Sequence, residues 1–189
     1  MTPLALEPPA EEPVSLAETR QFLRLDAADE DDLLAMLVTA ARLLVEAASG
    51  RCLVDQHWRI ALDRWPRTGE IRLPLAPVSA ILAARVYDTA GTAQQIAPGV
   101  LMLDRAADPP LIRISQSVAE PGRAHGGIEI DVVAGFGPTA AAVPAPLRQA
   151  VLRLAARWFE ERGDVASRDA AGLPRSIAAL VAPYRRVKL

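Results

Sequence analysis

The stretch IEIDVVAGFGPTAAAVPAPLRQAVLRLAARW, residues 128–158, changes its period halfway along, and the fold class follows from that change. Through residue 133, apolar Ile128, Ile130 and Val132 alternate with Glu129 and Asp131, the pattern of an antiparallel strand with one buried face. Beyond Pro144-Ala145-Pro146 the apolar residues Leu147, Val151, Leu154, Ala155 and Trp158 recur at helical spacing instead. Arg148, Arg153, Arg157 and Glu161 fall largely off that stripe. Two prolines suit the first turn of a helix, where a missing amide costs little. Gly135 and Gly137 permit the abrupt turn between strand and helix.

Upstream of this switch the strand-like pattern continues. Residues 54–62, 70–75, 80–87, 100–103 and 111–115 are short runs with alternation or β-branched content. Pro, Gly and Asp punctuate them, as in Trp65-Pro66-Arg67-Thr68-Gly69, Asp88-Thr89-Ala90-Gly91 and Glu120-Pro121-Gly122. Before residue 53 the period is helical again. Ser15-Leu16-Ala17-Glu18 is a capping box that opens a short helix ending near Leu25. The acids of 26–32 then favour a second helix start, with Leu33, Leu37, Val38, Ala41, Leu44, Val45 and Ala48 at helical spacing and Gly50 placed to stop it. Downstream, Gly163 suits a C-cap, and residues 164–172 read as a linker. Pro174 opens a short helix carrying Ile177, Leu180 and Val181.

The predicted fold class is α+β, a small antiparallel helix bundle with a β-rich insert between the second and third helices. Its parts are a flexible arm (1–14), the N-terminal helices of the bundle (15–52), the β-rich insert (53–137), the C-terminal helices (138–182) and an extended basic tail (183–189). A helix pair at the front must pack on the helices at the back, because neither stripe can be buried alone.

Composition excludes several classes. A chain of 189 residues is one domain, or one domain with a substantial insert, and can bury about 70% of its unfolded surface without a metal or disulfide. Aromatics make up only 4%, so the core is aliphatic. A single cysteine, Cys52, permits no intramolecular disulfide and no cysteine-based zinc site. The sequence holds no Asn, hence no N-glycosylation acceptor. Its first residues carry acids and prolines rather than a basic and then apolar run, which argues against a secretory signal. The longest uncharged stretch, 132–147, is broken by Gly135, Gly137, Pro138, Pro144 and Pro146, so no membrane span is expected.

The formal charge of −2 conceals a gradient. Residues 1–33 hold nine acids against Arg20 and Arg24, a net of −7. Residues 148–189 hold nine bases against four acids, a net of +5. Charge runs usually mean solvated faces, and 20 of the 21 cations are Arg. The sharper reading is a subunit with opposite poles, suited to head-to-tail contact with its own copies. Asp29, Asp31, Asp32, Arg153 and Arg157 are the candidate subunit-interface residues.

No chemistry-bearing constellation stands out. His57 lies in a predicted strand and His125 in a glycine-rich loop, with no second histidine or helically spaced carboxylate beside either. No Ser sits in a nucleophile elbow, and Cys52 follows a helix end rather than occupying a helix N-terminus. Gly135-Phe136-Gly137 lacks the third glycine of a dinucleotide cradle, and Pro138 removes an amide that a phosphate would need. The acids Asp29-Glu30-Asp31-Asp32 lack the glycine and terminal Glu of a calcium loop. Arg148, Arg153, Arg157 and Arg162 walk around their helix without an aromatic ladder. Trp158 and Phe159 read as core or interface anchors. No catalytic, cofactor-binding or metal-ligating residue is therefore expected. A small regulatory DNA-binding protein using the Arg-bearing helix 147–162 stays open as an alternative, and an enzyme with a site around His57 and His125 has the least support.

The order of elements resembles the head–tail connector (adaptor) family of long-tailed bacteriophages, including the relatives found in gene transfer agents. Four stretches carry the resemblance. The first is Ser15-Leu16-Ala17-Glu18 with the acidic helix ending Glu46-Ala47-Ala48-Ser49-Gly50-Arg51; the second is Arg72-Leu73-Pro74-Leu75-Ala76-Pro77-Val78. The third runs from Ala134-Gly135-Phe136-Gly137 through Val143-Pro144-Ala145-Pro146-Leu147-Arg148-Gln149-Ala150, and the last is Leu180-Val181-Ala182-Pro183-Tyr184-Arg185-Arg186-Val187. Their order and spacing, not any single stretch, make the match.

The resemblance implies a structural protein, not an enzyme, with no cofactor. It implies a ring, usually of twelve subunits, seated on the portal protein around the DNA channel and joining capsid to tail. The expected partners are the portal, a tail-proximal stopper (head-closure) protein, other copies of the chain, and DNA that passes without sequence-specific binding; no membrane is involved. Assembly is expected in the bacterial cytoplasm, with the protein ending at the head–tail interface of the particle. The resemblance assigns a portal-docking role to Tyr184, Arg185, Arg186 and Lys188 of the tail. The β-insert is larger than in the minimal all-helical members of the family.

Overall fold

The computed structural model describes residues 1–115, 118–161 and 173–185. These residues mix helix and antiparallel sheet, as the predicted α+β class requires, and they fall into two compact units. One unit comprises Met1–Ala10 and Asp55–Phe136; the other comprises Glu11–Val54 and Gly137–Leu189.

Among the described residues the first unit has eight strands: β1 (Thr2–Glu7), β2 (Gln56–Leu62), β3 (Glu70–Arg72), β4 (Val78–Tyr87), β5 (Ala93–Gln95), β6 (Leu101–Asp104), β7 (Leu111–Ile114) and β8 (Ile128–Ala134). They form a five-stranded antiparallel sheet in the order β1-β2-β8-β4-β5 and a three-stranded sheet in the order β3-β7-β6. Alternation works as the sequence predicts. Ile60 and Leu62 on β2, Ile128, Ile130 and Val132 on β8, and Ala84 and Val86 on β4 are buried together on one face.

The opposite face is polar and tightly paired. Across β2 and β8, Arg59 donates to Asp131 through Nε and Nη2 at 2.7 and 3.0 Å, while Arg85 on β4 donates from the other side at 2.8 Å. Arg59 also lies 3.1 Å from Glu129, which accepts the Tyr87 hydroxyl at 2.9 Å. The Arg123 guanidinium sits 4.1 Å from the centre of the Tyr87 ring. Burial pushes the Asp131 carboxyl up, but the hydrogen bonds and charges of Arg59 and Arg85 outweigh it and hold the carboxyl below its usual range.

The flexible arm expected over 1–14 is corrected in its first half. Residues Thr2–Glu7 form β1, an edge strand that pairs antiparallel with β2, and Glu7 Oε2 lies 2.9 Å from His57 Nδ1. All six β1 residues are exposed, so the strand is held by its backbone ladder rather than by burial, and Pro3 is tolerated because the strand is an edge. The remainder is also fixed. Glu12 accepts from Thr39 and Arg42 at 2.8 Å each, and Val14 is buried. β5 is the other strand the sequence pattern did not predict.

The second unit is helical: α1 (Leu16–Leu23), α2 (Asp31–Ser49), α3 (Ala145–Glu160) and α4 (Arg175–Val181). The predicted capping box opens α1, with the Glu18 amide donating to Ser15 Oγ at 3.1 Å and the Ser15 amide donating to Glu18 at 2.8 Å. Gly50 closes α2 in the left-handed region at φ 69°. Pro144 precedes α3, which starts at Ala145. The predicted cap Gly163 and linker 164–172 lie outside the described residues. α2 packs on α3, burying Leu34, Val38, Ala41 and Val45 against a face made by Leu147, Ala150, Val151 and Leu154. Each large aliphatic side chain so buried contributes about 1.5–3 kcal/mol. The α2 stripe is turned slightly from the predicted one: Leu34 replaces Leu33 inside, while Leu33, Leu37, Leu44 and Ala48 are half-buried.

Because folding lowers the Asp131 pKa, its contribution is present at neutral pH and is lost as pH falls through the carboxylate range, below about 4. Asp131→Asn is expected to cost about 2 kcal/mol at neutral pH and to flatten the acid limb of the stability profile. Urea unfolding at several pH values from neutrality downward measures both.

Candidate functional site

The predicted docking tail begins where α4 ends. Ile177 and Val181 bury one side of α4, and a single 3₁₀ turn over Ala182–Tyr184 follows, closed by the Arg185 amide donating to the Ala182 carbonyl at 3.2 Å. Arg51, just past the α2 cap, donates from Nε to the Tyr184 carbonyl at 3.0 Å. The root of the tail is thereby tied to the end of α2. Tyr184 is half-buried and Arg185 exposed. Arg186 and Lys188 lie outside the described residues. Arg51 was not legible as part of this site, since its partner is a backbone carbonyl far along the chain.

The candidate subunit-interface residues are distributed over two helices. Asp31 and Asp32 occupy the first turn of α2, with Asp29 just before it; Arg153 and Arg157 lie on α3. Asp31 is engaged within its own unit, 3.5 Å from Arg20 Nε. Arg157 donates to Glu161 one turn on, at 2.7 Å. Asp29, Asp32 and Arg153 are exposed. Arg148 is committed elsewhere too, donating to the Pro13 carbonyl at 2.9 Å and to Glu18. Burial raises the Glu18 carboxyl less than its backbone hydrogen bond to Ser15, together with Arg148, lowers it. The arginines described on α3 therefore do not share one free basic stripe.

A feature the sequence pattern left unassigned lies on α2. Met36 is 65% exposed and Leu43 53%, and Ala40 and Ala47, at matching helical spacing, are exposed with them. Phe22 on α1 is exposed as well. Met36, Ala40, Leu43 and Ala47 form the uncovered side of α2, opposite its buried face.

The side chains most capable of chemistry occupy separate places. His57 pairs with Glu7 on the sheet, whereas His125 is 92% exposed in its loop and 4.0 Å from Asp63. Cys52 is buried, and burial pushes its thiol up to about 12, where no thiolate forms at neutral pH. Among the described residues no group of three or more His, Cys, Asp or Glu is clustered to hold a metal ion, and no helix is long and apolar enough to cross a membrane. Gly135 is required by packing: a Cβ there would collide with the Asp55 backbone.

Comparison with solved structures gives matches over the entire chain. A chain from the neck of an empty gene transfer agent particle, determined with C6 symmetry, superposes with a TM-score of 0.86 at 30% identity, covering 100% of this chain and 97% of that one. A chain from the virion of a native gene transfer agent particle matches at 0.85 and 29% identity with the same coverage. A chain from the neck of a native particle, determined with C12 symmetry, matches at 0.78 and 31% identity, again with that coverage. No protein-family model matches the sequence, and no curated protein matches it. The chain belongs to the head–tail connector family of long-tailed phages and gene transfer agents, a family of structural particle proteins.

Arg51→Ala removes the tether on the Tyr184 carbonyl. It is expected to cost about 1 kcal/mol of stability and to speed amide hydrogen exchange over 182–185 several-fold. Exchange measured by mass spectrometry on C-terminal peptides reads this directly.

Proposed function

We propose that this chain is a head–tail adaptor that forms a ring, of twelve copies, on the portal of a gene transfer agent or phage particle and joins capsid to tail around the DNA path. The observation that carries the reading is similarity over the full chain to neck chains, one of them in a neck determined with C12 symmetry. In this reading the protein is an assembly part and not an enzyme, and the helices make the ring wall with the sheet unit as an insert in the bundle. Its partners are the portal protein, a tail-proximal stopper protein and its own copies. DNA passes without sequence-specific contact, which a near-neutral net charge favours, since a strongly basic wall would hold phosphates. The protein joins the head–tail interface of the particle after assembly in the bacterial cytoplasm.

The tail supplies the portal contact. Tyr184 and Arg185 sit at its anchored root, and Arg186 and Lys188 extend the same basic segment in sequence.

Purified protein mixed with its portal is expected to form closed rings visible by electron microscopy. Protein that stays monomeric with the portal present contradicts the reading. Replacing Tyr184, Arg185, Arg186 and Lys188 together by Ala keeps the carbonyl that Arg51 holds. It is expected to lower portal affinity at least a hundredfold while leaving the melting curve nearly unchanged. Unaltered affinity in that variant removes the docking role from the tail.

A further inference from the structure

We infer that the outer face of α2 is one half of the contact between neighbouring copies of this chain, and that it docks on the outer face of α3 in the next copy. The inference rests on the ring reading above and names the surfaces that close it. Met36, Ala40, Leu43 and Ala47 follow one another at helical spacing, all exposed, on the side of α2 opposite its buried face. Half-buried Leu33, Leu37 and Leu44 widen the stripe on one flank. Scattered single apolar residues on a surface are ordinary; a continuous stripe along a nineteen-residue helix marks a surface that another molecule covers.

Charge identifies the occupant as a second copy. Asp32 continues the stripe at its N-terminal end, exposed and without an ion pair among the described residues, and Asp29 is exposed just before it. The complement is on α3, where Arg153 is exposed and likewise without an ion pair among the described residues, beside half-buried Gln149 and Leu152. Arg153 lies off the α3 face made by Leu147, Ala150, Val151 and Leu154, and Met36 and Leu43 lie opposite the buried face of α2, so the two patches are different surfaces of one subunit. Two different complementary surfaces on one subunit are what a head-to-tail ring requires.

The test uses the full-length protein, alone and with its portal, followed by sedimentation velocity and electron microscopy over a concentration series. Met36→Glu combined with Leu43→Glu is expected to raise the concentration needed for closed rings at least tenfold, with a melting curve close to wild type because both sites are exposed. Asp32→Arg and Arg153→Asp are each expected to weaken assembly, and the double variant is expected to recover to within about threefold of wild type, which a general loss of folding would not do. Rings at wild-type concentration in the Met36/Leu43 variant overturn this interface while leaving the ring reading intact, as does a double charge variant no better than the singles. Absence of any closed oligomer from wild-type protein on the portal overturns the ring reading, and this inference with it.

Discussion

The apolar face of α2 can be buried only by a partner that the chain supplies much later. Val38, Ala41 and Val45 are sealed by Leu147, Ala150, Val151 and Leu154, so the helical unit exists only once residues 137 onward have returned to residues 11–54. That return has an entropic cost, which falls as the ends of the intervening segment are held together. The sheet does this. β2 and β8, the strands through which the segment starts and finishes, pair directly, with Gln56 opposite Ala134. Gly135 then lets the backbone pass close to Asp55, where any larger residue would push the two apart. Paired Arg59, Arg85 and Asp131 lock these two strands, and β4 beside them, from the polar side. Helix packing, strand pairing and one glycine are thus parts of a single closure requirement.

How much of this could be read in advance depended on how local the signal was. The capping box at Ser15 and Glu18 and the stop at Gly50 involve neighbours within a turn, and both stand where the sequence placed them. β1 carried no such signal. Its six residues are all exposed, so no alternation of burial shaped TPLALE, and the prolines and acids that follow suggested an arm. α2 contains two adjacent leucine pairs, 33–34 and 43–44, and either phase fits a helical stripe; only tertiary packing selects Leu34 as the inward member and leaves Leu43 outside. Arg42 on the buried face is legible only when Glu12 and Glu46 are seen to neutralise it at 2.8 and 3.0 Å.

The candidate surfaces divide in the same way. Asp32 and Arg153 stand out in the charge gradient and are exposed; Asp31 and Arg157 stand out with them but are engaged inside their own unit. Net charge per segment cannot separate the two kinds, because an ion pair within a unit and a free surface charge look alike in composition. The exposed stripe of α2 is hidden in the sequence for the opposite reason. Apolar residues at helical spacing signal a core by default, and the helix has enough of them for two faces.

The burial of Cys52 has a practical consequence. It is the sole sulfhydryl in the chain, enclosed and with its proton held to about 12, so alkylating dyes and spin labels have little purchase on the native protein. A reporter thiol placed at any chosen surface position would carry its fluorophore alone, with no need to delete the natural one and no core void created by doing so.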